Sequence, residues 1–120
     1  MKKPSKEKIL VRHISSVVPE DAHGGSGKRK MVYSHLDVPK SRLEAVSVGY
    51  LPKNGTFDWH MHNGIDEVIA VTKGKAAVDT GGRTIHVRAG DYLLVPSRKM
   101  HRITNPGPDK MEALYVRFRR

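Results

Sequence analysis

The chain has 120 residues, enough for one domain with a modest hydrophobic core. It contains no cysteine, so disulfides, thiolate metal sites and cysteine nucleophiles are excluded. Its 22 Lys and Arg against 12 Asp and Glu give a formal charge of +10, yet only 6% of residues are aromatic and no nucleic-acid-binding motif is present. The charge therefore favours solvated basic termini and no nucleic-acid partner, with attraction of an anionic small molecule as the weaker functional interpretation.

The first forty residues are predicted to be an N-terminal extension with one terminal strand. Within it, residues 19–30 are rich in glycine and are predicted to be a flexible loop. The apolar run at residues 9–11 is too short for the core of a signal peptide, and no other run approaches the length of a membrane span. We therefore expect a cytoplasmic protein with no membrane partner and a single domain over residues 1–120.

Strand signals dominate the rest of the chain. In order, strands are predicted at residues 43–51, 67–72, 75–80, 83–88, 92–95, 101–104 and 111–118. Gly81 and Gly82 are expected to supply the positive φ angles of a two-residue hairpin turn. Many short strands without a long 3.6-residue periodicity indicate an all-β sandwich or barrel.

Two of these strands have a regular apolar alternation. Residues 43–51 predict a half-buried strand with Val46, Val48 and Tyr50 on one face. In the last predicted strand, Leu114, Val116 and Phe118 share one face.

Three histidines and one glutamate have the spacing of a metal site. His60 and His62 alternate on one predicted strand, so both point to the same face with Cα atoms roughly 6–7 Å apart. A turn at residues 63–64 brings Glu67 beside them, and His101 must come from a third strand. Imidazole and carboxylate groups are ligands of divalent transition metals, and the hard oxygen of Glu67 favours Mn or Fe, while Zn, Ni, Co and Cu remain open.

The segments around these residues resemble the two motifs of the cupin superfamily. HMHNGIDEVIAVTKG, at residues 60–74, is similar to the first motif, with His-x-His, four residues, Glu, six residues and Gly. GDYLLVPSRKMHRITN, at residues 90–105, is similar to the second. The resemblance covers residues 43–118 and implies a small jelly-roll β-barrel that binds a metal through the matched positions His60, His62, Glu67 and His101.

Two positions depart from the cupin motifs. Asn54 occupies the place of the glycine that usually precedes the first histidine by six positions, and Arg98 replaces the glycine two residues after the motif proline. Both are turn positions, so the four predicted ligands are unaffected. Arg98 would lie near the barrel mouth. We interpret it first as an exposed loop residue, and second as a residue that contacts an anionic substrate.

Strand alternation also predicts an apolar surface behind the histidines. If Asp58, His60 and His62 face the metal, then Phe57, Trp59 and Met61 face away from it and need cover. The N-terminal segment or a second subunit can provide this cover. We predict a homodimer whose interface includes this face, as in similar small cupins.

The remaining titratable groups lack a comparable pattern. Asp66 is out of register with the motif, and His86 is expected to be exposed. No ligand-like spacing is found at His13, His23, His35 and His86. A general base could be Tyr50, Tyr92 or Tyr115, or no side chain at all, so no catalytic residue is assigned.

The sequence indicates two classes of function and does not identify the substrate. The first interpretation is a metal-dependent enzyme, a dioxygenase, decarboxylase or isomerase, acting on a small anionic or carbonyl compound. The alternative is a cupin module that binds a metal or small ligand without catalysis. Cupin barrels host many unrelated reactions, so the fold does not decide between them.

Overall fold

A computed structural model describes residues 2–22 and 26–120 of the chain. The strands are β1 (Glu20–Asp21), β2 (Lys28–Ser34), β3 (Leu43–Leu51), β4 (Thr56–His60), β5 (Ile65–Lys73), β6 (Lys75–Asp79), β7 (Thr84–Arg88), β8 (Tyr92–Val95), β9 (His101–Thr104) and β10 (Met111–Arg119). One 3-10 turn, Ile14–Ser16, precedes them. Within the described ranges no helix is long and apolar enough to cross a membrane.

The strands form two antiparallel sheets. The first has six strands in the order β1-β2-β3-β10-β5-β8, and the second has four in the order β4-β9-β6-β7. Leu51, Ile69 and Met111 of the larger sheet and Phe57 and Ile103 of the smaller one fill the space between them. The prediction of an all-β jelly-roll barrel is confirmed. The seven strands predicted with bounds are found within two residues of them, whereas no bounds were predicted for β1, β2 and β4.

The loop predicted at residues 19–30 is only partly a loop. β1 and β2 pair as a hairpin with Glu20 opposite Arg29 and Asp21 opposite Lys28, while residues 23–25, including His23, lie outside the described part of the chain. Arg29 donates from Nε to Glu20 at 2.8 Å. The basic start of β2 hid this strand, because consecutive cationic residues show no apolar alternation.

β3 is a half-buried strand, and the face predicted to carry Val46, Val48 and Tyr50 is its outer one. Ala45, Ser47 and Leu51 are at most 4% exposed and face the barrel interior together with Gly49. The larger side chains of Val46, Val48 and Tyr50 are half-buried on the outside. Small residues occupy the inner face because large side chains of other strands need the space: a Cβ built on Gly49 would lie 2.6 Å from Tyr115.

The predicted apolar face of Phe57, Trp59 and Met61 is also corrected. Phe57 is 3% exposed and lies in the core, because the pairing of β4 with β9 shifts by one residue between Phe57 and His60. This bulge places Phe57 and His60 on the same inner side, contrary to simple alternation. Trp59 is 39% exposed and stacks against the guanidinium of Arg102 at 5.2 Å, so part of its cover comes from this chain's own β9.

Candidate metal centre

The four predicted ligands come from neighbouring parts of the two sheets. His60 is the last residue of β4 and His101 is the first residue of β9, and the two are register partners. His62 follows β4 in the loop, two residues before the left-handed Gly64 that turns the chain into β5. Glu67 lies on the inner face of β5 and is 1% exposed. The barrel therefore gathers residues that are forty positions apart in the chain.

The three imidazoles form a compact cluster. The ring centroids are 4.3 Å apart for His60 and His101, 5.3 Å for His60 and His62, and 6.5 Å for His62 and His101. His62 Nε2 lies 3.9 Å from Glu67 Oε2. Two ligand atoms at about 2.0–2.2 Å from one ion lie roughly 3–4.4 Å apart, so this last pair has a suitable separation.

Backbone carbonyls orient two of the rings. The Nδ1 of His60 lies 2.6 Å from the carbonyl oxygen of Asp58, and the Nδ1 of His101 lies 2.8 Å from that of Lys99. A carbonyl only accepts, so each Nδ1 carries the proton. In the neutral ring Nε2 then carries the lone pair, which is the arrangement that a metal-binding histidine usually has.

Burial favours the neutral form of the His60 and His62 rings. It lowers the pKa of His60, an effect that the hydrogen bond to Asp58 opposes. Burial lowers the pKa of His62 to about 4, and the nearby positive charge of Arg117 adds to the shift. Neutral imidazole is the form that binds a metal, so His60 and His62 are in the ligand form at neutral pH.

Glu67 already has a cationic partner. Arg117 on β10 donates from Nε to Glu67 Oε2 at 2.6 Å, and the two side chains are 12% and 2% exposed. The pair arises because Arg117 and Glu67 are register partners on adjacent strands with both side chains directed inward. A buried carboxylate needs such a partner, and here an arginine supplies the charge that a metal ion would also supply.

The chemistry of this cluster fits a metal ion, whereas its present geometry is not that of a finished site. Within residues 2–22 and 26–120, no group of three or more His, Asp or Glu side chains stands close enough to hold an ion. The donors nevertheless suit one: neutral imidazoles beside a buried carboxylate. Among the described residues the buried Nε2 of His101 has no hydrogen-bond partner, and such an atom is costly unless something binds it.

A small cavity lies behind the cluster. Its free space is about 10 Å³, room for about one water molecule. The cavity is lined by residues from both sheets and from the segment after β1: Ala22, Arg29, Ser47, Phe57, His60, Glu67, Ile103, Tyr115 and Arg117. Met61 and Met100, which adjoin His60, His62 and His101 in the chain, are 52% and 47% exposed and do not line this cavity.

The three tyrosines considered as a general base differ in their position relative to the cavity. Tyr92 is 78% exposed and Tyr50 lies on the outer face beside Lys110, whereas Tyr115 lines the cavity. The Tyr115 hydroxyl is buried and has no hydrogen-bond partner among the described residues. Burial, with the negative charge of Glu67, raises its pKa, so this phenol stays protonated and can donate a hydrogen bond. It is not suited to be a general base.

The other predicted residues lie outside the cluster. Asp66 faces outward, paired with Arg120 at 3.0 Å, in agreement with its register, and His86 is exposed on β7. Arg98 is exposed in the loop before β9, and its N–H donates to the carbonyl oxygen of His62. Arg98 and Asn54, the two departures from the motif glycines, are the non-glycine residues with positive φ within the described ranges, both at 62°. The backbone thus keeps the conformation that glycine favours at these positions.

Arg117 is not predicted as a site residue from the sequence, where it belongs to a solvated basic terminus. The signal was nevertheless present: Arg117 alternates with Leu114, Val116 and Phe118, whose side chains are on the outer face of β10. Its inward direction follows from this alternation once the outer face is known. Only the tertiary structure reveals which face that is.

The sequence matches a protein-family model described as a cupin domain over residues 47–117, more than half of its length. The chain belongs to the cupin family. A sequence comparison with curated proteins finds no match.

Similar solved structures support the same fold. A predicted oxalate decarboxylase from Thermotoga maritima has a TM-score of 0.83 and 22% identity, over 92% of this chain and 100% of that one. The polyketide cyclase RemF from Streptomyces resistomycificus has a TM-score of 0.78 and 18% identity, over 92% and 80% of the two chains. The cupin domain of Schizosaccharomyces pombe Cnp3 has a TM-score of 0.78 and 17% identity, over 98% of this chain and 80% of that one. At these identities the likeness shows the fold alone, and the described activities differ from one another.

Proposed function

We propose that this cupin binds one divalent transition metal ion through His60, His62, His101 and Glu67 and acts as a metal-dependent enzyme. The observation that carries the proposal is the buried Nε2 of His101, which has no hydrogen-bond partner among the described residues while Nδ1 is held by Lys99. Mn or Fe suits the set best because of the Glu67 oxygen, and Zn, Ni, Co or Cu could replace them.

The substrate we propose is a small anionic or carbonyl compound. When bound, the metal supplies Lewis-acid or redox chemistry, as in a dioxygenase, decarboxylase or isomerase. Arg117 and Arg29 place two positive charges on the cavity wall against the one negative charge of Glu67, and the Tyr115 hydroxyl can donate a hydrogen bond there. These groups favour an anionic oxygen at the inner side of the site.

A cupin that binds metal or ligand without catalysis is the second candidate. The Arg117–Glu67 ion pair favours it, because the carboxylate must be shared or released before it can coordinate an ion. Metal-dependent turnover that disappears in His101→Ala separates an enzyme from a binding module. The cytoplasmic location expected from the sequence stays a prediction.

Elemental analysis of protein purified without a metal-affinity tag tests the metal directly. We expect close to one Mn or Fe per chain in the wild type and a loss of at least tenfold in His62→Ala and His101→Ala. His86→Ala is the matched control, since His86 is an exposed histidine of the same barrel. Absence of metal in the wild type, with no rebinding at micromolar Mn, Fe, Co or Zn, would sink the proposal.

A further inference from the structure

The outer face of the four-stranded sheet carries an open groove of about 330 Å³. All four strands of this sheet and the turn at residues 81–82 line it. In β9 the side chains of His101 and Ile103 are buried and face inward, so that of Arg102 between them faces outward. The sheet itself therefore separates the groove from the histidine cluster.

Three polar side chains of the groove form one row across the sheet. Register pairs Arg102 on β9 with Asp79 on β6, and Asp79 with Thr84 on β7. Arg102 Nη2 donates to Asp79 Oδ2 at 2.8 Å, and Thr84 Oγ1 donates to Asp79 Oδ1. These bonds hold the row in place before any ligand arrives, which lowers the cost of binding one.

The row keeps hydrogen-bonding capacity on its exposed side. Thr84 and Arg102 donate to Asp79 and lower its pKa, so this carboxylate is ionised at neutral pH. A carboxylate has about four acceptor sites and a guanidinium about five N–H donors, more than the row uses. The side chains of Arg102 and Asp79 are 39% and 22% exposed. A ligand hydroxyl can donate to Asp79 while it accepts from Arg102, so the row suits neighbouring hydroxyl groups.

Trp59 adds an apolar surface beside this row. The guanidinium carbon of Arg102 lies 5.2 Å from the centroid of its ring and fixes the ring next to the row. The residue remains 39% exposed. A flat apolar surface beside a few placed polar groups suits a ligand ring that has an apolar face and a polar edge. A sugar ring has this character, since C–H groups form its face and hydroxyls its edge.

The turn before β7 leaves the groove open and adds a positive charge. A methyl group built on Gly81 or Gly82 meets nothing within 4 Å, so a ligand can approach the backbone there. Arg83, which follows, is exposed and has no ion pair within the described ranges. With Arg102 and Asp79 it gives the lining a net positive charge, which favours an anionic group on the ligand.

Together these features point to a carbohydrate site outside the barrel. We propose that the groove binds an acidic saccharide, with its sugar ring stacked on Trp59 and its carboxylate facing Arg83. Neighbouring hydroxyls of the sugar bond to Asp79 and Arg102. The site is distinct from the proposed metal centre and does not depend on it.

A single-stranded nucleic acid is the other ligand that an exposed tryptophan with arginines can receive. The row disfavours it, because Asp79 repels the phosphate that every nucleotide carries. Trp59 is also the one aromatic residue that lines the groove, so successive bases find no second ring to stack on. A saccharide instead places hydroxyls against Asp79 and a carboxylate only at Arg83.

A second copy of the chain is a further alternative occupant, because the predicted homodimer face included Trp59. That face has lost Phe57 to the core, which leaves Trp59 and Met61 as its exposed apolar residues. The rest of the groove lining is polar or glycine. A dimer interface is expected to have an apolar centre, which this groove lacks. The homodimer itself stays a prediction.

Fluorescence of the full chain tests the inference, since Trp59 is its one tryptophan and its emission reports on the groove. Hexasaccharides that contain glucuronate, galacturonate or mannuronate are titrated at physiological ionic strength, with maltohexaose as the neutral comparison. We expect a saturable change in emission with at least one acidic hexasaccharide and at least tenfold weaker binding of maltohexaose. Addition of EDTA should leave this affinity unchanged, which separates the groove from the metal centre.

Two variants assign the binding to the groove. Arg83→Gln should weaken binding of the acidic saccharide at least tenfold, and Trp59→Phe should weaken it by a similar factor in calorimetric titration. Arg88→Gln is the matched control, because Arg88 is an exposed arginine at the other end of β7 that does not line the groove. Circular dichroism checks the fold of each variant, and Arg83→Gln carries the test if Trp59→Phe does not fold.

Unchanged emission with all three acidic hexasaccharides overturns the inference. So does an equal loss of affinity in Arg83→Gln and Arg88→Gln, since binding would then be general ionic attraction. Tighter binding of a thymidylate hexamer than of any saccharide would identify a nucleic-acid surface instead. A wild-type dimer that Trp59→Phe dissociates would show that a second copy occupies the groove.

Discussion

The Nε of Arg117 donates to Glu67 Oε2 at 2.6 Å inside the barrel, so the carboxylate predicted as a metal ligand is held by a buried arginine. The ion pair links two adjacent strands at the register pair Arg117–Glu67. It keeps the charge of Glu67 compensated without a metal. An ion coordinated by Glu67 would compete with this guanidinium, so Arg117 would weaken metal binding at the proposed site.

Replacing Arg117 should separate metal affinity from stability. In Arg117→Gln the affinity for Mn or Co should rise at least tenfold, or about 1.4 kcal/mol, because Glu67 loses its competing partner. The metal-free protein should lose about 3 kcal/mol in its free energy of unfolding, because a buried carboxylate is left without its counter-charge. Competition with a fluorescent chelator and urea denaturation measure the two quantities. Arg119→Gln, which affects an outer pair, is the control, and an unchanged or lower affinity in Arg117→Gln contradicts the prediction.

Tyr115→Phe should stabilise the protein while impairing its ligand binding. The buried hydroxyl has no hydrogen-bond partner among the described residues, so its removal should raise the free energy of unfolding by about 1 kcal/mol. If the hydroxyl donates to a bound anion, affinity for small carboxylates should fall about tenfold in the same variant. Thermal unfolding with and without oxalate or pyruvate provides both values. Loss of stability without ligand would show that the hydroxyl has a partner after all.

The small residues on the inner face of β3 should tolerate no enlargement. A methyl group on Gly49 would approach Tyr115 to 2.6 Å and Phe57 to 3.1 Å, so Gly49→Ala should lower the free energy of unfolding by about 1–3 kcal/mol. Gly82→Ala is the matched control because nothing lies within 4 Å of its added methyl group, and it should change stability by less than about 0.5 kcal/mol. Urea denaturation compares the two, and equal effects would argue against the tight packing of Gly49.

Arg98 should respond to substitution as a glycine position does. Its φ of 62° is strained for a β-branched residue, so Arg98→Val should be about 1–2 kcal/mol less stable than Arg98→Gly. The neighbouring exposed Lys99 is the control, since its backbone is not left-handed and its valine and glycine variants should not show this preference. Thermal denaturation of the four variants measures this preference for glycine. If Arg98→Val were as stable as Arg98→Gly, the prediction would be wrong.

Local patterns determined most strands and the four candidate ligands. Turn residues mark the ends of several strands in the chain. The predicted bounds therefore agree with the observed ones for the strands at residues 43–51, 92–95 and 101–104. The resemblance of two short motifs to the cupin family identified the family, which the match to a cupin model at residues 47–117 confirms. The metal itself stays a prediction.

Facing and register were decided only by the tertiary structure. Alternation shows that Val46, Val48 and Tyr50 share a face, but it does not show that this face is the outer one. A single bulge in β4 turned Phe57 into the core, and a bulge depends on the partner strand β9.

What the sequence by itself determined is therefore the class of fold and a set of candidate ligands, since turn chemistry, alternation and motif spacing are local properties. What only the tertiary structure decided is the pairing of Arg117 with Glu67 and which face of the six-stranded sheet points outward. Both depend on the register between strands far apart in the chain, and that register follows from packing the two sheets around one core.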